Sequence, residues 1–460
     1  MPGRVCSDVL RVPDTPNPAQ TMTFYRFVGK AFSPPRGRRP GRLPTPFPMA
    51  YNDRYMNGAE IPLASSSTKH PPLRETLDRA FAGARLTESE AISLIQCPDE
   101  DLDLLLGAAG ALRDRAKGRD VTYSRKVFLP ITNLCRDRCT YCTFRKDPWD
   151  PGAWTMMEHE ISEWSRRGRE LGCKEALMCL GDKPELAFKE YRATLASLGV
   201  ETTMEYVRRA CELALAEGLL PHTNAGLMTY QEMEMLRPVN VSMGLMLENV
   251  SPRLRGRGEV HQYAPDKDPA LRLQTIEDAG KLRIPFTTGI LVGIGETPAE
   301  RAQSLIAIRD LHERYGHIQE AIIQNFRAKP EIAMAGAPEP GALEMARAIA
   351  TARLVLGGAM NVQAPPNLSP HEIELFLNAG INDWGGISPL TKDYVNPEAP
   401  WPHLARLAER CAAAGFRLRE RLAVYPEFTG EQWIDPALAP AINRLSPRTA
   451  EVLNGPHRIS

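Results

Sequence analysis

Apolar and polar positions change their period repeatedly along this chain. Between positions 126 and 387 lie eight short, mostly apolar runs of the kind that form buried strands. They are KVFLPIT (126–132), EALMCLG (175–181), PHTNAGL (221–227), NVSMGLMLEN (240–249), PFTTGILVGI (285–294), IQEAIIQNF (318–326), MNVQAPP (360–366) and INDWGGI (381–387). The segments between them, such as EHEISEWSRRGRELG, TTMEYVRRACELALAEGL and TPAERAQSLIAIRDLHERYG, repeat apolar residues every three or four positions. That is the period of an amphipathic helix. Eight strand–helix alternations predict an α/β fold, a parallel (β/α)8 barrel of the TIM type. A doubly wound open sheet is the alternative, though it usually needs fewer strands.

Upstream, LTESEAISLI opens a helical stretch that reaches about Lys117, with Thr87 and Glu90 at capping-box spacing. The first 75 residues differ. SPPRGRRPGRLPTPFP is rich in Pro, Arg and Gly without any apolar period, which predicts a disordered extension. A transit segment, or a start at Met49, are other readings of the same stretch. The expected organisation is an extension over 1–75, a helical segment over 76–120, the barrel over 121–430 and a tail over 431–460.

Composition narrows the class. A chain of 460 residues suits one large barrel with an extension, or two ordinary domains. No uninterrupted apolar stretch approaches the ~18 residues of a membrane span, so no membrane association is expected. Lys+Arg and Asp+Glu both total 56, so there is no global basic field to attract nucleic acid. The first thirty residues contain no apolar core of a secretory signal. Nine cysteines, an odd number, read as reduced thiols of a cytoplasmic protein.

Three of those cysteines cluster. Cys135, Cys139 and Cys142 stand as C-x3-C-x2-C just beyond the first expected strand, at the end of a barrel where chemistry is placed. The other six read as small buried hydrophobes. A structural zinc site wants four ligands. Here the nearest histidine is His159, and Cys173 and Cys179 lie beyond a helical segment, so zinc would need completion from afar. A cubane iron–sulfur cluster normally takes four thiolates, and three leave one iron open. Arg136, Arg138, Arg145 and Lys146 would favour the thiolate state and offset an anionic cluster.

The motif, with Tyr141 before its last cysteine, resembles that of the radical S-adenosylmethionine (radical SAM) enzymes. The resemblance implies a [4Fe–4S] cluster on Cys135, Cys139 and Cys142, with S-adenosylmethionine at the open iron. It also implies a 5′-deoxyadenosyl radical that takes hydrogen from a substrate. LGDKPE, with Gly181, Asp182, Lys183 and Pro184, resembles the family's GGEP-type turn that contacts the cofactor's ammonium, departing from it at Asp182 and Lys183. By the same resemblance Glu248, in LMLENVSPRL, would accept from the ribose hydroxyls, and Arg272 would pair with the cofactor's carboxylate. In TTGILVGIGET the glycines do not form G-x-G-x-x-G, so no dinucleotide fold is supported; Gly293 would let the adenine approach the backbone.

LPITNLCRDRCTYCTFRKDP, CLGDKPE, TNAGLMTYQEMEML and FTTGILVGIGET together resemble one group, the FO synthase subunit 1 enzymes, over about residues 86–430. This implies a carbon–nitrogen lyase. A sister radical subunit, FO synthase subunit 2, joins tyrosine to 5-amino-6-(D-ribitylamino)uracil. Subunit 1 then cyclises that small-molecule adduct with loss of ammonia to form the deazaflavin FO. With one cysteine motif, the chain is expected to carry one half-reaction and to depend on a separate sister protein and an electron donor. The substrate needs hydrogen bonds for a uracil edge and a polyol, and an apolar slot for a phenol. Strand-end candidates are Asn224, Asn325, Arg327, Asn367, Asp383, Ser388 and Thr391, with Trp384 and Gly385–Gly386 flanking the rings or packing the barrel end. The alternatives are the sister subunit itself, a biotin-synthase-like or hydrogenase-maturation enzyme, and a non-catalytic metal-binding protein.

Overall fold

A computed structural model describes residues 71–446 of the chain. Positions 1–70 of the expected extension, and 447–460 of the expected tail, lie outside the described residues. Helix α1 (Pro71–Phe81) already occupies the last positions assigned to the extension. It is followed by α2 (Glu88–Ile95) and α3 (Leu102–Lys117). The capping box at the start of α2 is present. Thr87 accepts from the Glu90 backbone N–H, and the Glu90 carboxylate accepts from that of Thr87, which satisfies two of the unpaired donors of a helix start.

Eight parallel strands then alternate with helices. They are β1 (Asp120–Pro130), β2 (Glu175–Cys179), β3 (Leu220–Asn224), β4 (Ser242–Gly244), β5 (Phe286–Val292), β6 (Ile318–Asn325), β7 (Val362–Gln363) and β8 (Asp383–Ile387). The connecting helices are α4 (Glu158–Glu170), α5 (Lys189–Ser197) and α6 (Thr203–Ala216), α7 (Tyr230–Leu236), α8 (Pro269–Lys281), α9 (Pro298–Tyr315), α10 (Ala342–Leu356) and α11 (Ile373–Asn378). Each strand pairs with the next and β8 returns to β1, so the expected barrel is closed. Each of the eight expected runs overlaps one of these strands, although β1 begins six residues before its run and β3 one residue before. Among the described residues no helix is long and apolar enough to cross a membrane.

A ninth strand was not expected. After α12 (Leu404–Ala413), β9 (Arg417–Arg421) runs parallel to β1, with 120–124 facing 417–421, while β2 takes residues 126–130 of the same strand. Its sequence, RLRER, lacks the apolar content of the other strands. Its value to the fold lies in Arg421. That guanidinium is buried, with Nε 2.6 Å from Asp383 Oδ2 and Nη2 2.9 Å from Glu320 Oε1, and it lies 4.2 Å from the centre of the Tyr425 ring. Asp383 is thus at the start of β8, not at the strand end where a substrate would meet it. Residues 422–445, including α13 (Ala439–Leu445), pack with Leu220 and Val241 and close the N-terminal end of the barrel. The first part of the expected tail is therefore structured core.

The lumen is polar where such barrels are usually filled with branched apolar side chains. Lys126 Nζ lies 2.6 Å from Glu175, and His222 Nδ1 lies 2.6 Å from Ser242 Oγ. Burial pushes the His222 pKa down to about 4, against the opposing pull of Glu175. The Gly385–Gly386 pair makes room for these long side chains. A Cβ on Gly386 would stand 2.1 Å from Lys126 Cε, and one on Gly385, at φ +70°, 2.2 Å from Gln363 Nε2. Of the two readings of that pair, packing fits the geometry. Trp384 is fully buried in the main apolar core.

Candidate active site

The loop after β1 is held along both edges. On one side the Gly181 N–H donates to Thr132 O at 2.9 Å and the Arg136 N–H to Asp182 O at 3.1 Å. On the other the Arg138 N–H donates to Tyr263 O at 2.9 Å and the Thr140 N–H to Val260 O at 3.1 Å. The loops after β2 and β4 therefore fix the path of the cysteine loop. Gly181 is obligatory here, because a Cβ would lie 2.0 Å from Leu134 O and 2.6 Å from Cys135 Cβ. The next N–H, of Asp182, donates to Cys135 Sγ at 3.1 Å.

These loops open on a cavity of about 300 Å³. Of the residues expected at the site, Cys135, Cys139, Tyr141, Cys142, Gly181, Asp182, Glu248 and Arg272 all line it. Three do not. Lys183 turns away, its Nζ 3.1 Å from both oxygens of Glu232. Pro184 is buried in a short 3-10 turn. Gly293, at φ +95°, leaves room for Pro340, whose Cδ would be 2.7 Å from a Cβ there. Asn224, Asn325 and Arg327 line the cavity, whereas Asn367, Ser388 and Thr391 do not. Ser388 and Thr391 bond each other at 2.8 Å, and Thr391 accepts from the Phe128 N–H at 3.0 Å.

Glu248 is the centre of the ionic network. It stands just beyond β4 with φ +64°, a left-handed conformation that non-glycine residues avoid and that tends to occur at functional sites. Its backbone bridges to β5, with its N–H 3.0 Å from Gly289 O and its carbonyl 3.0 Å from the Leu291 N–H. The Tyr141 hydroxyl donates to one carboxylate oxygen and Lys267 to the other; His261 Nε2 lies at 3.3 Å and Arg272 Nη2 at 3.7 Å. With its O–H directed to Glu248, the Tyr141 oxygen is left to accept from His261 Nε2 at 2.8 Å. Burial works to raise the Glu248 pKa, but Lys267, His261 and Arg272 outweigh it and hold the carboxyl well below its usual range. Neither Lys267 nor His261 was singled out from the sequence. They sit in HQYAPDKDPA, a loop with no motif, and only the chain's return to the cavity wall reveals them.

The three arginines around the cysteines are committed elsewhere. Arg136 forms a two-pronged pair with Asp266, and Arg138 and Arg145 both pair with Asp147. The buried cation whose charge favours the Cys139 thiolate is Lys267, although burial dominates and drives that thiol's pKa up. Three buried carboxylates, Asp137, Asp182 and Asp266, lie beside the loop, each offering an oxygen within 4.8 Å of the others. Burial, then Asp266 and Asp137, push Asp182 up to about 8. Its Oδ2 accepts from the Leu227 N–H at 3.1 Å, and its Oδ1 is buried without a partner. Arg272 spends its Nε and Nη2 on Met246 O and its Nη1 on Asp266 O, leaving two of its five N–H groups.

The rest of the lining carries different chemistry. Asn224, Gln324, Asn325 and Asn396 supply amides, and Phe144 and Tyr394 supply rings 6.3 Å apart at 65°. Cys179, read from the sequence as a core residue, also lines the cavity, and burial pushes its thiol up to about 12.

Comparison with known proteins shows the family and the fold. The radical SAM superfamily pattern matches residues 129–307. The FO synthase of Streptomyces coelicolor is 49% identical over 387 residues, 81% of this chain and 45% of that protein. The FO synthase of Mycobacterium tuberculosis is 46% identical over 421 residues, 87% of this chain and 47% of that protein. The chain thus spans about half the length of these relatives. The 7,8-didemethyl-8-hydroxy-5-deazariboflavin synthase of Methanothermobacter thermautotrophicus is 49% identical over 334 residues, 72% of this chain and 100% of that protein. Among solved structures, the FeFe-hydrogenase maturase HydG from Carboxydothermus hydrogenoformans aligns with a TM-score of 0.62 at 19% identity, over 76% of this chain and 80% of that one. Methylornithine synthase aligns at 0.59 and 18%, over 75% and 97%. At such identities these two speak for the fold alone.

Proposed function

The chain belongs to the 7,8-didemethyl-8-hydroxy-5-deazariboflavin synthase family of the radical SAM superfamily, and from that premise we propose that it cyclises the tyrosine/5-amino-6-(D-ribitylamino)uracil adduct to FO with release of ammonia. The observation that carries this reading is the convergence of the three cysteines, Gly181–Asp182, Glu248 and Arg272 on one cavity. Membership implies a [4Fe–4S] cluster and S-adenosylmethionine, which when bound supply a 5′-deoxyadenosyl radical by one-electron cleavage of the sulfonium.

The residues present fit that pair of groups. Cys135, Cys139 and Cys142 offer three soft donors and no fourth thiol in the same loop, and the backbone of Gly181 lies flat against Cys135 where a side chain could not. Asp182 brings an unpartnered buried oxygen to the same wall, suited to an ammonium group. Arg272 keeps two N–H groups for a carboxylate. Glu248, held ionised by Lys267 and oriented by Tyr141 and His261, has lone pairs left for a pair of hydroxyls. In the same cavity, amide groups suit a uracil edge and the Phe144 and Tyr394 rings suit a phenol. The adduct would come from a second radical SAM site, that of the sister subunit.

Two measurements follow. Purified adduct, cofactor and a one-electron reductant, given to the anaerobically reconstituted enzyme, should yield fluorescent FO without consuming tyrosine. Consumption of tyrosine instead would assign the chain to adduct formation. Glu248→Gln should weaken cofactor binding by about tenfold to a hundredfold, the loss of one or two charge-assisted hydrogen bonds, with iron content unchanged. Loss of iron in that variant would mean that Glu248 serves the cluster loop and not the nucleoside.

A further inference from the structure

Lys329 lies just past β6, on the loop that packs against the cysteine loop through Phe326, Ile332 and Met334. It is 4% exposed and its side chain lines the cavity. Arg327, two residues earlier, is neutralised by Glu339 at 3.0 Å. Lys329 has no such partner: among the described residues no acceptor lies within hydrogen-bond reach of its ammonium and no carboxylate within 4.0 Å. The charges that face it are Glu398 and Asp393 from the loop after β8, Arg327 from its own loop and Cys142. Asp393 is already engaged by the Asn367 and Asn396 side chains, at 3.0 and 3.2 Å, and by two backbone N–H groups. Burial accordingly draws the Lys329 pKa down.

An ammonium on so enclosed a side chain, with no protein acceptor and only the cavity to face, is suited to a ligand that supplies one. The surroundings limit what that ligand is. Asn325 and Asn396 line the same cavity, with the Asn325 Nδ2 directed to Leu368 O at 3.4 Å so that its own carbonyl oxygen is left over. Phe144 and Tyr394 stand edge to face nearby. A cation, amides and aromatic edges together suit a planar heterocycle bearing carbonyl oxygens. We propose that Lys329 is a substrate-binding residue whose ammonium donates to a ring carbonyl oxygen of the substrate's pyrimidinedione. The proposal rests on the cyclase reading above and adds to it the group that recognises the uracil part.

The test compares the reconstituted wild-type enzyme with Lys329→Met and with Lys329→Gln, the second variant guarding against local disturbance of the loop by the first. Removing a charge-assisted hydrogen bond should raise KM for the adduct by about tenfold or more in the methionine variant, with the glutamine variant between it and wild type. S-adenosylmethionine affinity and the electron paramagnetic resonance spectrum of the reduced cluster should stay as in wild type. Wild-type KM in both variants would overturn the proposal. So would a changed cluster spectrum or weakened cofactor binding, which would assign Lys329 to the charge balance of Cys142 and its metal. A wild-type enzyme that ignores the adduct would remove the cyclase reading itself, and that control separates the two failures.

Discussion

Replacing Cys139 by alanine is expected to leave the reconstituted protein with background iron and sulfide and no detectable 5′-deoxyadenosine. Cys139 lines the cavity between Cys135 and Cys142 in sequence and packs within the small apolar cluster around Tyr141. With two thiols remaining, the loop would offer half the ligands a cubane usually takes. The other thiol lining the cavity, Cys179, stands on β2 outside the loop, and burial pushes its pKa up to about 12. Of the neighbouring carboxylates, Asp266 pairs with Arg136, Asp137 accepts from the Asp266 N–H at 3.0 Å and Asp182 accepts from the Leu227 N–H at 3.1 Å. Hard oxygen ligands would in any case serve iron–sulfur chemistry poorly. Cys139→Ala should not unfold the chain, because the loop keeps its backbone bonds to the β2 and β4 loops. Iron analysis, near-ultraviolet to visible absorbance and thermal midpoint together check this. A variant that still binds a full complement of iron and cleaves the cofactor would refute the proposed ligand set.

Arg421→Met is expected to produce the largest loss of stability, with no direct effect on the site. The guanidinium is shared by Asp383 and Glu320, both buried, and also donates to Leu422 O at 3.0 Å. Removing it strands two carboxylates in the barrel's lower lumen. Breaking a buried pair from one side typically costs about 3–5 kcal/mol. Glu320→Gln should cost much less, since burial and Asp383 already push the Glu320 pKa up to about 7, against the pull of Arg421. The double variant Arg421→Met with Glu320→Gln should recover part of the loss, the signature of direct coupling. Denaturant midpoints of the four proteins give the comparison. A single Arg421→Met variant within about 1 kcal/mol of wild type would show that β9 contributes little through this cluster.

The roles of the residues around the site divide by how far their partners lie along the chain. The C-x3-C-x2-C loop is local, so its spacing is readable from the sequence. The basic residues within it looked like thiolate partners, yet Arg136 answers to Asp266 and Arg138 and Arg145 to Asp147. Lys267, which takes over that electrostatic role for Cys139, is more than a hundred positions away. Lys183 sat in the expected cofactor turn, but with φ +36° its side chain is directed to Glu232 on α7. A motif names a position; the backbone angle decides which way the side chain leaves it.

The eight core strands were readable as short, mostly apolar runs because at least the face of each strand that the helices cover must be apolar, and the intervening helices because one face of each must meet that sheet. The Thr87–Glu90 cap was equally local. The ninth strand was invisible for the opposite reason: RLRER owes its place to charges on β6 and β8, and no periodicity within five residues encodes a partner a hundred positions distant. The same holds for Asp383, assigned by its strand to a substrate but claimed by Arg421, and for Lys329, whose unpartnered ammonium is a property of its surroundings. Patterns with a short physical period are written in neighbouring residues. Which charges meet, and which are left facing the cavity, depends on contacts that exist only once the barrel has closed.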